Sequence, residues 1–191
     1  MNPYERILKL LGSILGMVVD GTRDPEKVAK MLEALKETFQ KIVDETKTYL
    51  KELFTDVPVD ATDGTETFQS SELFTGGIYG VAVPAVAKGK PTLATKATVW
   101  EMILDATFAL MFGGLGKTRK RWTEAQVVWF CRNRSKFLRK DGFATFFEME
   151  GDVVAGVCIG VDGRLSVYVD KFSDVNVWYA KYQHRLVTPQ Q

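Results

Sequence analysis

The sequence predicts an α+β protein: an N-terminal antiparallel helical hairpin over 1–54, an irregular acidic connector over 55–98, and an α+β domain over 99–191. In that last domain helices pack on a four-stranded antiparallel β-meander. Three observations carry this expectation. Apolar residues recur at helical spacing through the first part of the chain. Gly, Pro and Thr then punctuate a stretch that holds five acids and no Lys or Arg from Asp56 to Ala87. After Gly142 the apolar period changes from 3.6 to 2.

The first helix is read from Ile7, Leu8, Leu11, Ile14, Leu15 and Val18, and it stops at Asp20-Gly21. Its apolar run is interrupted by Lys9, Gly12, Ser13 and Gly16 and is shorter than a membrane span, so it reads as a core helix rather than a signal or anchor. Asp24 suits the N-cap and Pro25 the first position of a second helix. Two rows repeat there by sevens, Val28, Leu35, Ile42, Tyr49 and Leu32, Phe39, Thr46, Leu53. A continuous helix over 25–54 would be ~45 Å long at 1.5 Å per residue. Its seam is covered by the first helix, by the C-terminal domain, or by a second copy in a homo-oligomer.

The stretch 18–36 resembles a short opening module near the start of many uncharacterised bacterial proteins, particularly from candidate-phylum genomes. The resemblance rests on Asp20-Gly21-x-Arg23-Asp24-Pro25-x-x-Val28. It implies no activity, only a reusable unit joined to differing C-terminal parts.

Residues 77–86 have β-type composition, with Pro84 confining them to an edge. Residues 99–112 are apolar nearly all round and read as a buried helix. Strands are expected at 143–149, 153–159, 165–169 and 177–187, joined by connections too short for parallel crossovers.

Charge is distributed unevenly. The segment 117–142 holds nine Lys/Arg against two acids in a chain whose net charge is +1. It reads as one helix, opened by a Thr123–Gln126 capping box and closed at Gly142. Val127, Phe130, Cys131, Phe137 and Leu138 fall on a dry side, and Arg132, Lys136, Arg139 and Lys140 on a basic one. Arg134 falls in the apolar arc, which calls for a buried ion pair or a pocket-lining role. Arg119, Lys120 and Arg121 extend the patch before the helix, and Trp122 and Trp129 interleave aromatic planes with it. The patch fits a polyanionic partner, nucleic acid ahead of an acidic protein. A solvated face offsetting the acidic connector explains the same charges.

Gly113-Gly114-Leu115-Gly116-Lys117-Thr118 resembles the GGxGKT core of the deviant phosphate-binding loop in chromosome-partitioning ATPases. That resemblance implies backbone N–H groups around phosphates, Lys117 neutralising them, Thr118 on Mg²⁺ and Asp170 as a metal-linked acid. The chain departs from the pattern at Met111 and Phe112, and the alternative is a flexible hinge between two helices.

Other chemistries find little support. His184 is the single histidine, and Cys131 and Cys158 have no metal or redox spacing. No catalytic residue, metal or cofactor is therefore expected, and two cysteines suit a cytoplasmic setting. A second binding surface is read from Tyr168, Trp178, Tyr179, Tyr182, His184 and Arg185 on a C-terminal hairpin, whose aromatic and polar mixture resembles adaptable recognition surfaces.

Overall fold

A computed structural model describes residues 9, 12–13, 16, 21, 24–30, 32–34, 36, 48–80, 89–115 and 120–190. The chain divides into two compact units, 1–47 and 48–191. In the first, residues 25–30 are helical, and Asp24 caps them by accepting the Glu26 amide at 3.0 Å. Of the expected first helix only residues 9, 12–13 and 16 are described, and they are helical; its apolar residues and most of the heptad seam lie outside the described residues, and the boundary expected at 54 falls inside the strand that begins at Leu50.

The second unit is built on one mixed seven-stranded sheet. Its strands are β1 (Leu50–Val59), β2 (Gly77–Tyr79), β3 (Thr95–Met102), β4 (Ala144–Met149), β5 (Val153–Ile159), β6 (Leu165–Lys171) and β7 (Arg185–Pro189). The spatial order is β1-β3-β7-β4-β5-β6-β2. Two pairs, β4 with β7 and β2 with β6, are parallel, and the others are antiparallel. The described α-helices of this unit are short, α1 (Phe108–Gly113) and α2 (Glu124–Asn133).

This architecture overturns the helical hairpin followed by a four-stranded meander, and with it the α+β class; among the described residues the second unit is mostly β. The heptad rows were extended through Tyr49 and Leu53, but β1 begins at Leu50. The strand signal was hidden because β1 shifts register between Glu52 and Phe54 and again between Phe54 and Val57, which destroys its alternation. Asp56 sits at φ 55°, and Pro58 is tolerated because β1 lies at the sheet edge.

The expected buried helix over 99–112 is instead the end of β3 followed by a turn and α1. A strand buried on both faces reads as a continuous apolar run and cannot be told from a buried helix by period. Ala97, Thr98 and Val99 are all buried.

The meander is right for three strands and wrong for the fourth. Residues 177–183 form no strand; a 3-10 turn runs from Ala180 to Tyr182 and Gln183 adopts a left-handed conformation. The 13 residues between β6 and β7 carry the chain over β5 and β4, and β7 enters parallel to β4. A parallel crossover needs about a dozen residues, which this connection supplies.

Both faces of the sheet are covered. On β5, Val153, Ala155 and Val157 join the core beneath α2, whereas Val154 joins the core beneath α1; the alternation places the cores on opposite faces. The loop between β1 and β2 closes the α2 side with Phe68 and Phe74, packed edge to face. Glu124 fixes that loop by accepting the Phe68 amide at 2.6 Å, and Arg132 adds a two-pronged pair with Glu66. Burial raises the Glu124 carboxyl above the usual range, while the Phe68 amide works against that shift.

Candidate nucleic-acid interface

The basic segment does not form one helix. The capping box is present: Thr123 Oγ1 accepts the Gln126 amide at 3.4 Å and Gln126 Oε1 accepts the Thr123 amide at 3.1 Å. α2 ends at Asn133, however, and a 3-10 turn over Ser135–Phe137 redirects the chain. Arg132 and Lys136 therefore do not share a helical face. Arg132 is held by Glu66. Arg134 donates to the carbonyls of Pro58 and Asn133, both at 3.0 Å, and its guanidinium lies 5.0 Å from the Trp129 ring centre. Among the described residues its partners are thus backbone carbonyls and an indole rather than a carboxylate. Arg121 is bound to Glu148 at 2.9 Å and Asp152 at 3.0 Å. Trp122 is fully buried and donates Nε1–H to the Val187 carbonyl at 2.7 Å, so it offers no stacking plane. Arg119, with Gly116, Lys117 and Thr118, lies outside the described residues; the glycines before them close α1, so a helix, not a strand, leads into that run.

The second half of the basic segment meets half of the aromatic surface. Arg139 is anchored through its amide to Thr145 Oγ1 at 2.7 Å and through Nε to the Tyr182 carbonyl at 3.2 Å. Its guanidinium lies 5.4 Å from the Phe143 ring centre. Phe143 stacks on Tyr182 with centroids 4.8 Å apart and planes 17° from parallel. The Lys181 ammonium lies 4.9 Å from Tyr182 and 5.4 Å from Tyr179. The result is a column of guanidinium, two stacked rings and ammonium, with Tyr179 edge-on beside it and 51% exposed. Each contact of this kind contributes about 0.5–1 kcal/mol at an exposed site.

Beneath the column lie His184 and Arg185. His184 is buried and accepts the Ala144 amide on Nδ1 at 3.2 Å; burial, with the Arg139 charge nearby, holds its imidazole below the usual pKa. Arg185 donates to the carbonyls of Phe137 and Leu138 at 2.8 and 3.1 Å, and its Nε is buried without a partner among the described residues. Burial lowers its pKa, with the Arg139 charge acting in the same direction. Lys136 and Lys140 are exposed close by in the chain.

The expected C-terminal hairpin surface is split. β6 and β7 are separated by β5 and β4, so Tyr168 is remote from the column; it stacks on Tyr79 at the other end of the sheet, centroids 4.9 Å apart. Trp178 is partly buried against Phe108 and Phe146. Phe143 and Lys181 were missed by sequence reasoning, although Phe143 directly follows the basic run and Lys181 stands between the tyrosines.

Burial pushes the Cys158 thiol up to about 11 and raises Cys131 as well, and the two lie against opposite cores. Among the described residues no three His, Cys, Asp or Glu gather to hold a metal, and no helix is long and apolar enough to cross a membrane. No protein-family model, curated protein or solved structure matches this chain.

Proposed function

We propose that this protein is a non-enzymatic binding module whose column corner contacts single-stranded nucleic acid. The observation that carries the reading is the Arg139–Phe143–Tyr182–Lys181 column, in which cations flank stacked aromatic planes beside the exposed Tyr179. Arg139 is paired with Asp141 at 3.4 Å, the Lys181 ammonium lies against Tyr182 and Tyr179, and Lys136 and Lys140 are exposed in the same stretch of chain as Arg139. A surplus of positive charge beside aromatic rings suits a phosphate chain with unstacked bases, because rings take any base and cations take the backbone.

Fluorescence anisotropy with mixed-sequence single-stranded and duplex oligonucleotides at two salt concentrations tests the reading. If about four cations meet phosphates, log K for single strands falls against log salt with a slope of about −3. The Lys140→Glu, Lys181→Glu double variant should weaken binding at least tenfold with little change in melting temperature, because exposed charges contribute little to stability. Tyr179→Ala should weaken single strands about tenfold, at the lower end of a base-stacking contribution. No binding at low salt discards the reading. A protein-recognition alternative is favoured by Ile103, Leu104 and Val177, exposed on the segments joined by the Ala106–Trp178 bridge. It expects the charge reversals to have no effect and Tyr179→Ala to abolish capture of the partner.

A further inference from the structure

Away from the column, a cleft of about 470 Å³ opens where the residues leading into β3, the residues leading into α2 and the end of β7 meet. A neighbouring hollow of about 410 Å³ shares Ala94, Thr95 and Lys120 with it. Most charges around these hollows are already matched. Arg121 is taken by Glu148 and Asp152, Lys96 by Asp56 at 2.7 Å, and Lys90 by Glu150 at 3.6 Å. Lys120, which lines both hollows, has no carboxylate partner among the described residues.

Gln126 supplies a second, independent feature. The residue is only 6% exposed, yet it lines the cleft. Its Oε1 is spent on Thr123, accepting both the amide and the hydroxyl at 3.1 and 3.3 Å. Its Nε2 therefore presents two N–H donors that have no hydrogen-bond partner among the described residues. The residue is deeply set, but this nitrogen is not one of the buried unpartnered atoms, so its N–H groups reach the open space of the cleft. Thr123 is the N-cap of a 10-residue helix, so the same wall of the cleft carries the positive end of α2. An ammonium, a carboxamide NH2 and a helix N-terminus are all donors, and what they share as a ligand is an oxyanion. The volume lies within the range of small-molecule sites, about 300–1,000 Å³.

We propose that this cleft binds the phosphate monoester group of a small molecule, held between Lys120 Nζ, Gln126 Nε2 and the N-terminus of α2. Phosphate is preferred to carboxylate because three groups of donors line the one cleft and a phosphate offers three oxygens, a carboxylate two.

The test is an NMR titration of the full chain, following the Gln126 side-chain amide with inorganic phosphate, glycerol phosphate and acetate, and with sodium chloride as the ionic-strength control. The Gln126 amide signals should move saturably with both phosphates, at concentrations at least tenfold below those needed for acetate. Lys120→Ala should weaken phosphate at least tenfold. Gln126→Glu should abolish it while leaving the melting temperature close to that of the parent, since Glu at this position also closes a capping box. The Lys140→Glu, Lys181→Glu variant should bind phosphate normally, which separates this site from the nucleic-acid reading. Unmoved Gln126 signals, or full phosphate binding by Gln126→Glu, overturns the proposal; acetate binding as tightly as phosphate overturns the phosphate assignment.

Discussion

Trp122 and Trp178 carry the same indole and put its N–H to opposite use. Trp122 is sealed in the core with Nε1–H on the Val187 carbonyl, whereas the Nε1 of Trp178 is buried with no partner among the described residues. Trp122→Phe should destabilise by about 3 kcal/mol, because it opens a void and orphans a buried carbonyl. Trp178→Phe should change stability by less than about 1 kcal/mol, since removing an unsatisfied donor offsets the lost contacts; urea unfolding of both variants checks the contrast. His184 gives a pH signature. Its folded pKa lies below the ordinary imidazole value, so the unfolded chain takes up the proton first. Its contribution is complete above about pH 6.5 and is lost as pH falls from there through the folded pKa. Melting temperature should therefore drop between pH 7 and 5, and less steeply in His184→Asn, whose amide oxygen can still accept the Ala144 N–H. Nothing in the sequence marks His184 as buried: a lone histidine among tyrosines reads equally as surface.

The elements differ in what anchors them. The loop between β1 and β2 is tied to α2 by the Arg132–Glu66 pair and by Phe68, and the two ties are unequal. The ion pair is exposed, with 44% and 30% of the side chains accessible, so Glu66→Ala should change stability by less than about 1 kcal/mol. Phe68 is 1% exposed, and Phe68→Ala should cost about 3–5 kcal/mol in a denaturant titration. Local signals were legible wherever the code is short-range: the Asp24 cap, the Thr123–Gln126 box, and strands β4, β5 and β6. The illegible elements share a cause. β1 lost its alternation to two register shifts, β3 had both faces buried, and α2 stopped early because Arg134 and the following 3-10 turn bend the chain toward β1 and β7. A period counts neighbours along the chain, and these three elements are shaped by neighbours across the sheet.

On the scale of the molecule, the described strands all lie in 48–191, and a fragment of those residues should unfold cooperatively with its near-ultraviolet dichroism intact; a non-cooperative melt would show that residues 1–47 are needed. The candidate site was half legible for the same reason as the fold. Charge and aromatic content pointed to Arg139, Lys140, Tyr179 and Tyr182, but only the crossover from β6 to β7 brings the two groups together. It also removes Tyr168 to the far side. That crossover has a consequence for a chain growing from its N-terminus. β7 follows β1, β3, β4, β5 and β6 in sequence and is inserted between β3 and β4. Until residues 185–189 have emerged from the ribosome, β1–β3 and β4–β5–β6–β2 are two separate ribbons, each with an unpaired inner edge. Synthesis thus leaves the sheet open down its middle, and a single late strand closes both halves at once.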